Sequence, residues 1–215
     1  ICNGAVDNAT GTAALVALAQ ANVKAGPSDR SQVFLAVTGE ESGLLGSAYY
    51  GDNPVFPFSK TVGGVNMDAL SVAGLAKNVV VIGKGKSQLD AYLDRALGAQ
   101  GRVATLEPTP EKGYYYRSDH FSFAKHGLPM LYFEGGEDLV KGGTAAGMAA
   151  AEDYTEHRYH GPKDEYDPNW DWTGVAADLK LYYDVGRALA NTTDWPNWVD
   201  GDEFRAIRDK DRAGK

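Results

Sequence analysis

The stretch Val-Phe-Leu-Ala-Val-Thr-Gly-Glu-Glu-Ser-Gly-Leu-Leu-Gly-Ser, residues 33–47, is an apolar run that ends at two adjacent carboxylates, Glu40 and Glu41. Its first five residues are apolar without alternation, a pattern typical of a strand buried on both faces of a parallel sheet. We therefore predict a strand at residues 33–37 with both glutamates at its carboxyl end. Ligand crevices of open α/β sheets form at that edge, although an isolated pair of glutamates is more often a solvated surface.

The rest of the chain alternates predicted strands with predicted helices. Further strands are predicted at residues 61–67, 78–82 and 128–133. Helices are predicted from residue 13 through the apolar run 13–20 to an end near Gly26-Pro27, and at residues 44–50, 87–97 (with Ser87 as N-cap), 121–126 and 173–190. This alternation predicts an α/β fold with a mainly parallel or mixed central sheet flanked by helices, in a single domain over residues 1–215.

Three other segments carry weaker signals. Prolines interrupt residues 102–113, so no regular element is predicted there. Residues 135–158 are polar and rich in Gly and Ala, which favours a functional loop or a cover. The charged end, residues 196–215, is predicted to fray.

Composition excludes several classes of function. The net charge of −8 argues against a nucleic-acid partner, because neutralising phosphates needs clustered Lys and Arg. No apolar run approaches the roughly 18 residues of a membrane span. Cys2 stands alone, so no internal disulfide is expected and the redox compartment stays open.

We expect a set of acidic and imidazole side chains to sit at strand ends: Asp7, Glu40, Glu41, Asp68 and His160. Oxygen and nitrogen donors of this kind suit zinc, and carboxylates that converge on one crevice repel unless cations neutralise them. Two zinc ions, roughly 3.5–4 Å apart, explain the excess charge better than one and lower the pKa of a shared water towards about 7. A carboxylate that does not bind metal would then act as general base.

Five motifs, in order and spacing, resemble those of the M28-type zinc aminopeptidases, and the resemblance spans residues 4–190. The motifs are Gly4-Ala-Val-Asp-Asn-Ala-Thr-Gly11, Glu40-Glu-Ser-Gly-Leu-Leu-Gly-Ser47, Asn66-Met-Asp68, Arg117-Ser-Asp-His120 and Tyr159-His-Gly-Pro-Lys-Asp164. Together they are far more specific than any one of them.

The resemblance implies a phosphorylase/hydrolase-like zinc-exopeptidase fold and a di-zinc enzyme that removes the first residue of peptides with a free N-terminus. By the same analogy, Asp7 bridges both metals, Glu41 and His160 complete one site, and Asp68 belongs to the other. A further His ligand is expected about ten residues before Asp7, upstream of Ile1. We therefore expect the chain to be a fragment of a longer catalytic domain.

The resemblance also implies roles for side chains that do not bind metal. Glu40 would be the general base, Tyr159 would hydrogen-bond the developing oxyanion, and Arg117 would orient the substrate.

Two acids are candidates for supporting the metal ligands without touching metal. Asp119 is one, beside His120, which we interpret as structural. Asp164 is the other, and it either orients the imidazole of His160 or caps the turn around Pro162; both roles stay open.

Other functions remain as alternatives. A carboxypeptidase on the same scaffold would need a basic pocket, to which Arg117 could contribute, although no basic cluster accompanies it. A glutaminyl-cyclase-like enzyme would use a single zinc. A non-catalytic binding module would have lost the metals. By analogy with bacterial members, a periplasmic or secreted location is expected, while oligomeric state and the preferred N-terminal residue stay open.

Overall fold

A mixed four-stranded sheet lies at the centre of the chain, with helices packed on it. The computed structural model describes residues 3–213, so Cys2 and the last two residues of the predicted tail lie outside the described residues. The strands are β1 (Gly64–Asn66), β2 (Asn78–Val81), β3 (Val103–Leu106) and β4 (Met130–Gly135). The helices are α1 (Gly11–Ala25), α2 (Leu45–Asp52), α3 (Asp90–Gln100), α4 (His120–Ala124), α5 (Gly143–His157), α6 (Thr173–Ala190) and α7 (Arg205–Arg212).

The strand order is β1-β4-β2-β3. The pairs β1–β4 and β2–β3 are parallel, whereas β2 and β4 are antiparallel. The predicted α/β fold with a parallel or mixed sheet and flanking helices is therefore confirmed.

The main core forms between the sheet and α6. Phe133 of β4 is fully buried and stacks on Tyr182 of α6, with ring centroids 4.2 Å apart. The Tyr182 hydroxyl donates to the Phe133 carbonyl at 2.8 Å, so its polar atom is satisfied inside the core. Leu181 and Val185 are buried on the same side of α6, a three-to-four-residue spacing that matches the helix predicted at residues 173–190.

The predicted strand at residues 33–37 is wrong. Residues 31–39 form neither helix nor strand, and the side chains of Val33 and Phe34 are 53% and 38% exposed. A cavity of about 470 Å³ separates this segment from β1 and is lined by residues of both. A strand exists only where a neighbour supplies ladder hydrogen bonds, and within the described chain no strand pairs with this segment. Apolar composition alone could not reveal that.

Two smaller predictions also fail. β3 was missed, because it is a four-residue edge strand whose Val103 and Leu106 are more than half exposed. Ser87 is not the N-cap of α3, which begins at Asp90. The backbone of Ser87 instead forms an isolated bridge with Trp198 of the C-terminal segment.

The excursion at residues 135–158 is largely helix rather than loop. It contains the fifteen residues of α5, in which Gly147 is the buried position. The backbone of Glu137 packs so closely on Gly147 that an added Cβ would lie 2.0 Å from its carbonyl oxygen. The segment is therefore mostly an exposed helix, and its role as a functional loop or cover stays a prediction.

The predicted fraying of the C-terminal segment is wrong for residues 196–213. This segment ends in α7, whose Arg208 is 1% exposed and donates to the carbonyls of Phe58 and Thr61 at 2.7 Å each. The fully buried Trp198 donates from its indole nitrogen to the Gly127 carbonyl at 2.9 Å. Within residues 3–213, no helix has the length and apolar character needed to cross a membrane.

Candidate metal centre

Three side chains from distant parts of the chain meet at one point. Asp7, Glu41 and His160 each present one ligand atom, and these atoms lie within 4.8 Å of one another. His160 Nε2 lies 3.0 Å from Glu41 Oε1 and 3.4 Å from Asp7 Oδ2. Two carboxylate oxygens and an imidazole nitrogen converging in this way form a donor set that suits zinc.

The local backbone directs Asp7 towards this point rather than into α1. Asp7 has φ −109° and ψ 94°, which interrupts the helical turns at Ala5–Thr10. The side-chain oxygen of Asn8 accepts the Gly11 N–H at 3.0 Å, so Asn8 caps the start of α1. The carboxylate of Asp7 is therefore not consumed as a helix cap.

Glu41 and His160 also sit on non-regular backbone. Glu41 belongs to the short 3₁₀ turn Glu40–Ser42, which places both glutamates on a loop rather than at the end of a strand. His160 has φ +54°, a left-handed conformation that is uncommon for a residue with a Cβ. Strained backbone of this kind is often found where function requires a particular side-chain direction.

Asp68 lies next to the cluster, two residues after β1. Ser118 donates its hydroxyl to Asp68 Oδ2 at 2.8 Å, and the Asn66 amide donates to Ser118 Oγ at 2.9 Å. Burial raises the pKa of Asp68 to about 6, with further increases from Asp7 and a decrease from the Ser118 hydrogen bond. Asn8 donates its amide to the Met67 carbonyl at 3.2 Å and so joins the Asp7 loop to the Asp68 segment.

Crowding of negative charge raises the pKa of the other acids in the crevice. Burial raises the pKa of Glu40 to about 7, and nearby Asp68 and Glu41 add to the increase. Burial and Glu41 likewise raise the pKa of Asp7, while His160 opposes that change. A divalent cation would relieve this repulsion, so the residues fit a zinc ion both by donor type and by charge.

The remaining candidate residues surround the cluster. The ring of Tyr159 stacks on His160 with centroids 3.7 Å apart, and burial followed by Asp7 raises the Tyr159 pKa to about 12. Arg117 is exposed, lies 5.7 Å from the Tyr114 ring, and its positive charge opposes the rise in the Tyr159 pKa.

Asp119 lines the cavity beside Glu40. Burial raises the pKa of Asp119, and its negative charge contributes to the raised pKa of both Glu40 and Asp68. Asp119 is thus close enough to influence the acids of the crevice electrostatically.

The carboxylate of Asp164 fills neither of the two roles left open by the sequence, although the Asp164 backbone N–H donates to the Gly161 carbonyl and so closes the turn around Pro162. Asp164 is 2% exposed, and its carboxylate accepts the Val6 N–H and the Asp7 N–H at 3.0 Å each. Sequence analysis did not assign this contact, nor the roles of Asn8 and Ser118, although all three lie inside the quoted motifs. A hydrogen bond that a backbone N–H donates to a remote side chain leaves no pattern in the sequence.

Comparisons with solved structures show that the fold is shared with known proteins. The solved aminopeptidase from Aneurinibacillus sp. strain AM-1 is similar in structure, with a TM-score of 0.63 and 21% identity over 89% of this chain and 41% of that one. The LapA aminopeptidase of Legionella pneumophila is similar with a TM-score of 0.63 and 17% identity, over 89% of this chain and 48% of that one. The chain therefore spans less than half the length of either solved structure.

Sequence comparisons differ in outcome. No curated protein shows significant similarity to the chain. The model of peptidase family M28 matches residues 2–183, which is most of the chain. The chain therefore belongs to peptidase family M28.

Proposed function

We propose that the chain carries the active-site residues of a zinc-dependent aminopeptidase, which removes N-terminal residues from peptides. The observation that supports this most directly is the meeting of Asp7, Glu41 and His160 within 4.8 Å. Membership of family M28 supports peptidase chemistry, and both similar solved structures are aminopeptidases.

In this proposal Asp7, Glu41 and His160 hold one zinc ion, and Asp68 contributes with Asp7 to a second. The raised pKa values of Asp7 and Asp68 support a cation near both carboxylates. Bound zinc supplies Lewis-acid polarisation of the scissile carbonyl and makes water acidic enough to ionise near neutral pH.

Glu40 moves the protons. It is adjacent to Glu41 but outside the three-ligand cluster, so its carboxylate remains free to accept a proton from the attacking water. The same carboxyl group then donates that proton to the departing amine, which restores Glu40 for the next cycle. A carboxylate in a partly buried, acid-rich crevice suits this exchange near neutral pH.

Tyr159 and Arg117 would bind the peptide. The phenol of Tyr159, whose pKa is raised further above its ordinary value, is protonated at neutral pH, so it can donate to the carbonyl oxygen as negative charge develops there. Arg117 is exposed and close enough to Tyr159 for its charge to lower the Tyr159 pKa, and its guanidinium would orient the substrate through the backbone carbonyls of the peptide.

The adjacent glutamates allow a matched test of these roles. We expect Glu40→Gln to lower kcat at least about a hundredfold while zinc affinity changes less than about twofold, because only proton transfer is removed. We expect Glu41→Gln to weaken zinc binding, because it removes a ligand. Steady-state kinetics and zinc titration measure the two effects, and unchanged turnover in Glu40→Gln would overturn the assignment.

The direction of cleavage separates the aminopeptidase from the carboxypeptidase alternative. A peptide with a free N-terminus should lose its first residue, whereas the same peptide acetylated at its N-terminus should stay intact. Mass spectrometry of the products gives the answer, and cleavage of the blocked peptide from its C-terminus would favour the carboxypeptidase.

A further inference from the structure

Asp164 receives three consecutive backbone contacts from the segment that carries Asp7. Its carboxylate accepts the Val6 N–H (3.0 Å to Oδ1) and the Asp7 N–H (3.0 Å to Oδ2). Its backbone carbonyl accepts the Ala5 N–H at 2.9 Å. The backbone N–H groups of residues 5, 6 and 7 therefore all donate to Asp164.

The same residue belongs to the turn that presents His160. Asp164 donates its own N–H to the Gly161 carbonyl at 3.2 Å, and Gly161 donates to the Arg158 carbonyl at 2.9 Å. Asp7 and Asp164 are 157 positions apart in the sequence, so their hydrogen bond joins two loops that are remote along the chain. The separation between the Asp7 and His160 ligand atoms depends on this connection.

The arrangement places a buried negative charge beside a site that is already acidic. No ion pair within residues 3–213 includes Asp164, whose carboxylate is held by N–H groups and by the Tyr154 hydroxyl at 3.4 Å. The charge of Asp164 contributes to the raised pKa of Asp7. A neutral acceptor would satisfy fewer N–H groups, which gives a reason for a carboxylate at this position.

We propose that Asp164 is a positioning residue that holds Asp7 and His160 at ligand spacing before a cation binds. The inference rests on the proposed metal site and extends it to a residue that does not touch metal. Asp164 acts through the backbone of residues 5–7, in contrast to a carboxylate that hydrogen-bonds the imidazole directly. Its effect therefore appears in metal affinity and in the amide exchange of the metal-free protein.

The test compares Asp164→Asn with Asp167→Asn, a nearby exposed aspartate that bonds to Asn169. Zinc affinity is measured by competition with a chelating dye, and hydrogen exchange is measured on the metal-free protein. We expect Asp164→Asn to weaken zinc binding 10- to 100-fold and to accelerate amide exchange at Val6 and Asp7. Exchange in α6 should stay slow, and Asp167→Asn should behave as wild type.

A second variant separates position from charge. Asp164→Glu keeps the negative charge but moves the carboxylate by one methylene group. Positioning predicts that Asp164→Glu also weakens zinc binding, whereas a purely electrostatic effect predicts wild-type affinity and would overturn the proposal. If Asp164→Asn fails to fold, Tyr154→Phe removes only one hydroxyl contact of Asp164 and should still weaken zinc binding severalfold.

The outcomes distinguish this inference from the function on which it rests. If wild type binds zinc and Asp164→Asn binds it within twofold of wild type, the positioning role is overturned while the metal site stands. If wild type binds no zinc, the metal site is overturned and the positioning role with it.

Discussion

At the scale of single residues, burial decides which histidine can meet a cation. His160 has a side chain 45% exposed and faces two carboxylates, whereas His120 is fully buried between the rings of Tyr115 and Tyr132. Burial lowers the pKa of His120 to about 3. Both histidines lie inside the quoted motifs, so the motifs alone do not distinguish them. The packing around each side chain does.

This burial makes stability depend on pH. The folded protein keeps His120 neutral down to about its pKa of 3, whereas the unfolded chain protonates it near 6.5. Protons therefore favour unfolding as pH falls from about 6.5 towards 3, by roughly 1.4 kcal/mol per pH unit for this group. Buried acids with raised pKa values, such as Glu40 and Asp68, act in the opposite direction over the same range. We therefore expect the pH slope from urea unfolding to be smaller in His120→Gln than in wild type by about this amount.

The control for that experiment is His157→Gln, which removes an exposed imidazole. This variant should keep the wild-type dependence on pH. An equal slope in His120→Gln and wild type would contradict the assignment to His120.

At the scale of elements, sequence patterns worked where an element makes its own contacts. The helix at residues 173–190 was predicted with the bounds of α6, because its apolar spacing reflects one continuous buried face. Residues 33–37 carry an equally apolar pattern, yet they form no strand, and no strand of the described residues pairs with them. Whether a segment forms a strand depends on the strands beside it, whereas a helix makes its backbone hydrogen bonds within itself.

The C-terminal helix α7 is the clearest case of an element that local sequence misjudged. Its charged composition predicted fraying, but Arg208 is buried and satisfies carbonyls of Phe58, Thr61 and Val62 just before β1. Local composition cannot reveal acceptors that lie some 150 positions away in the sequence.

Removing that guanidinium should therefore destabilise the protein. Arg208→Met would leave several buried carbonyls without donors, and we expect the free energy of unfolding to fall by roughly 3 kcal/mol. Lys210→Met, on the exposed side of α7, should change it by less than about 0.5 kcal/mol. Denaturant unfolding measures both, and equal stabilities for the two variants would indicate that α7 is not anchored by Arg208.

At the scale of the whole molecule, the candidate site is made by topology rather than by one segment. Asp7, Glu41, Asp68 and His160 come from four separate segments. The sequence identified them as acids and an imidazole at predicted strand ends and through the five family motifs that contain them. Their supporting contacts could not be predicted, because the partners of Asp164 are backbone N–H groups that every residue except proline carries.

The proposed function depends on zinc binding by Asp7, Glu41 and His160 together. Anomalous diffraction at the zinc edge, from crystals of the protein grown with zinc, tests it most directly. We expect a peak about 2.0–2.2 Å from His160 Nε2 and from one carboxylate oxygen each of Asp7 and Glu41. A zinc peak elsewhere, with none between these three side chains, would contradict it.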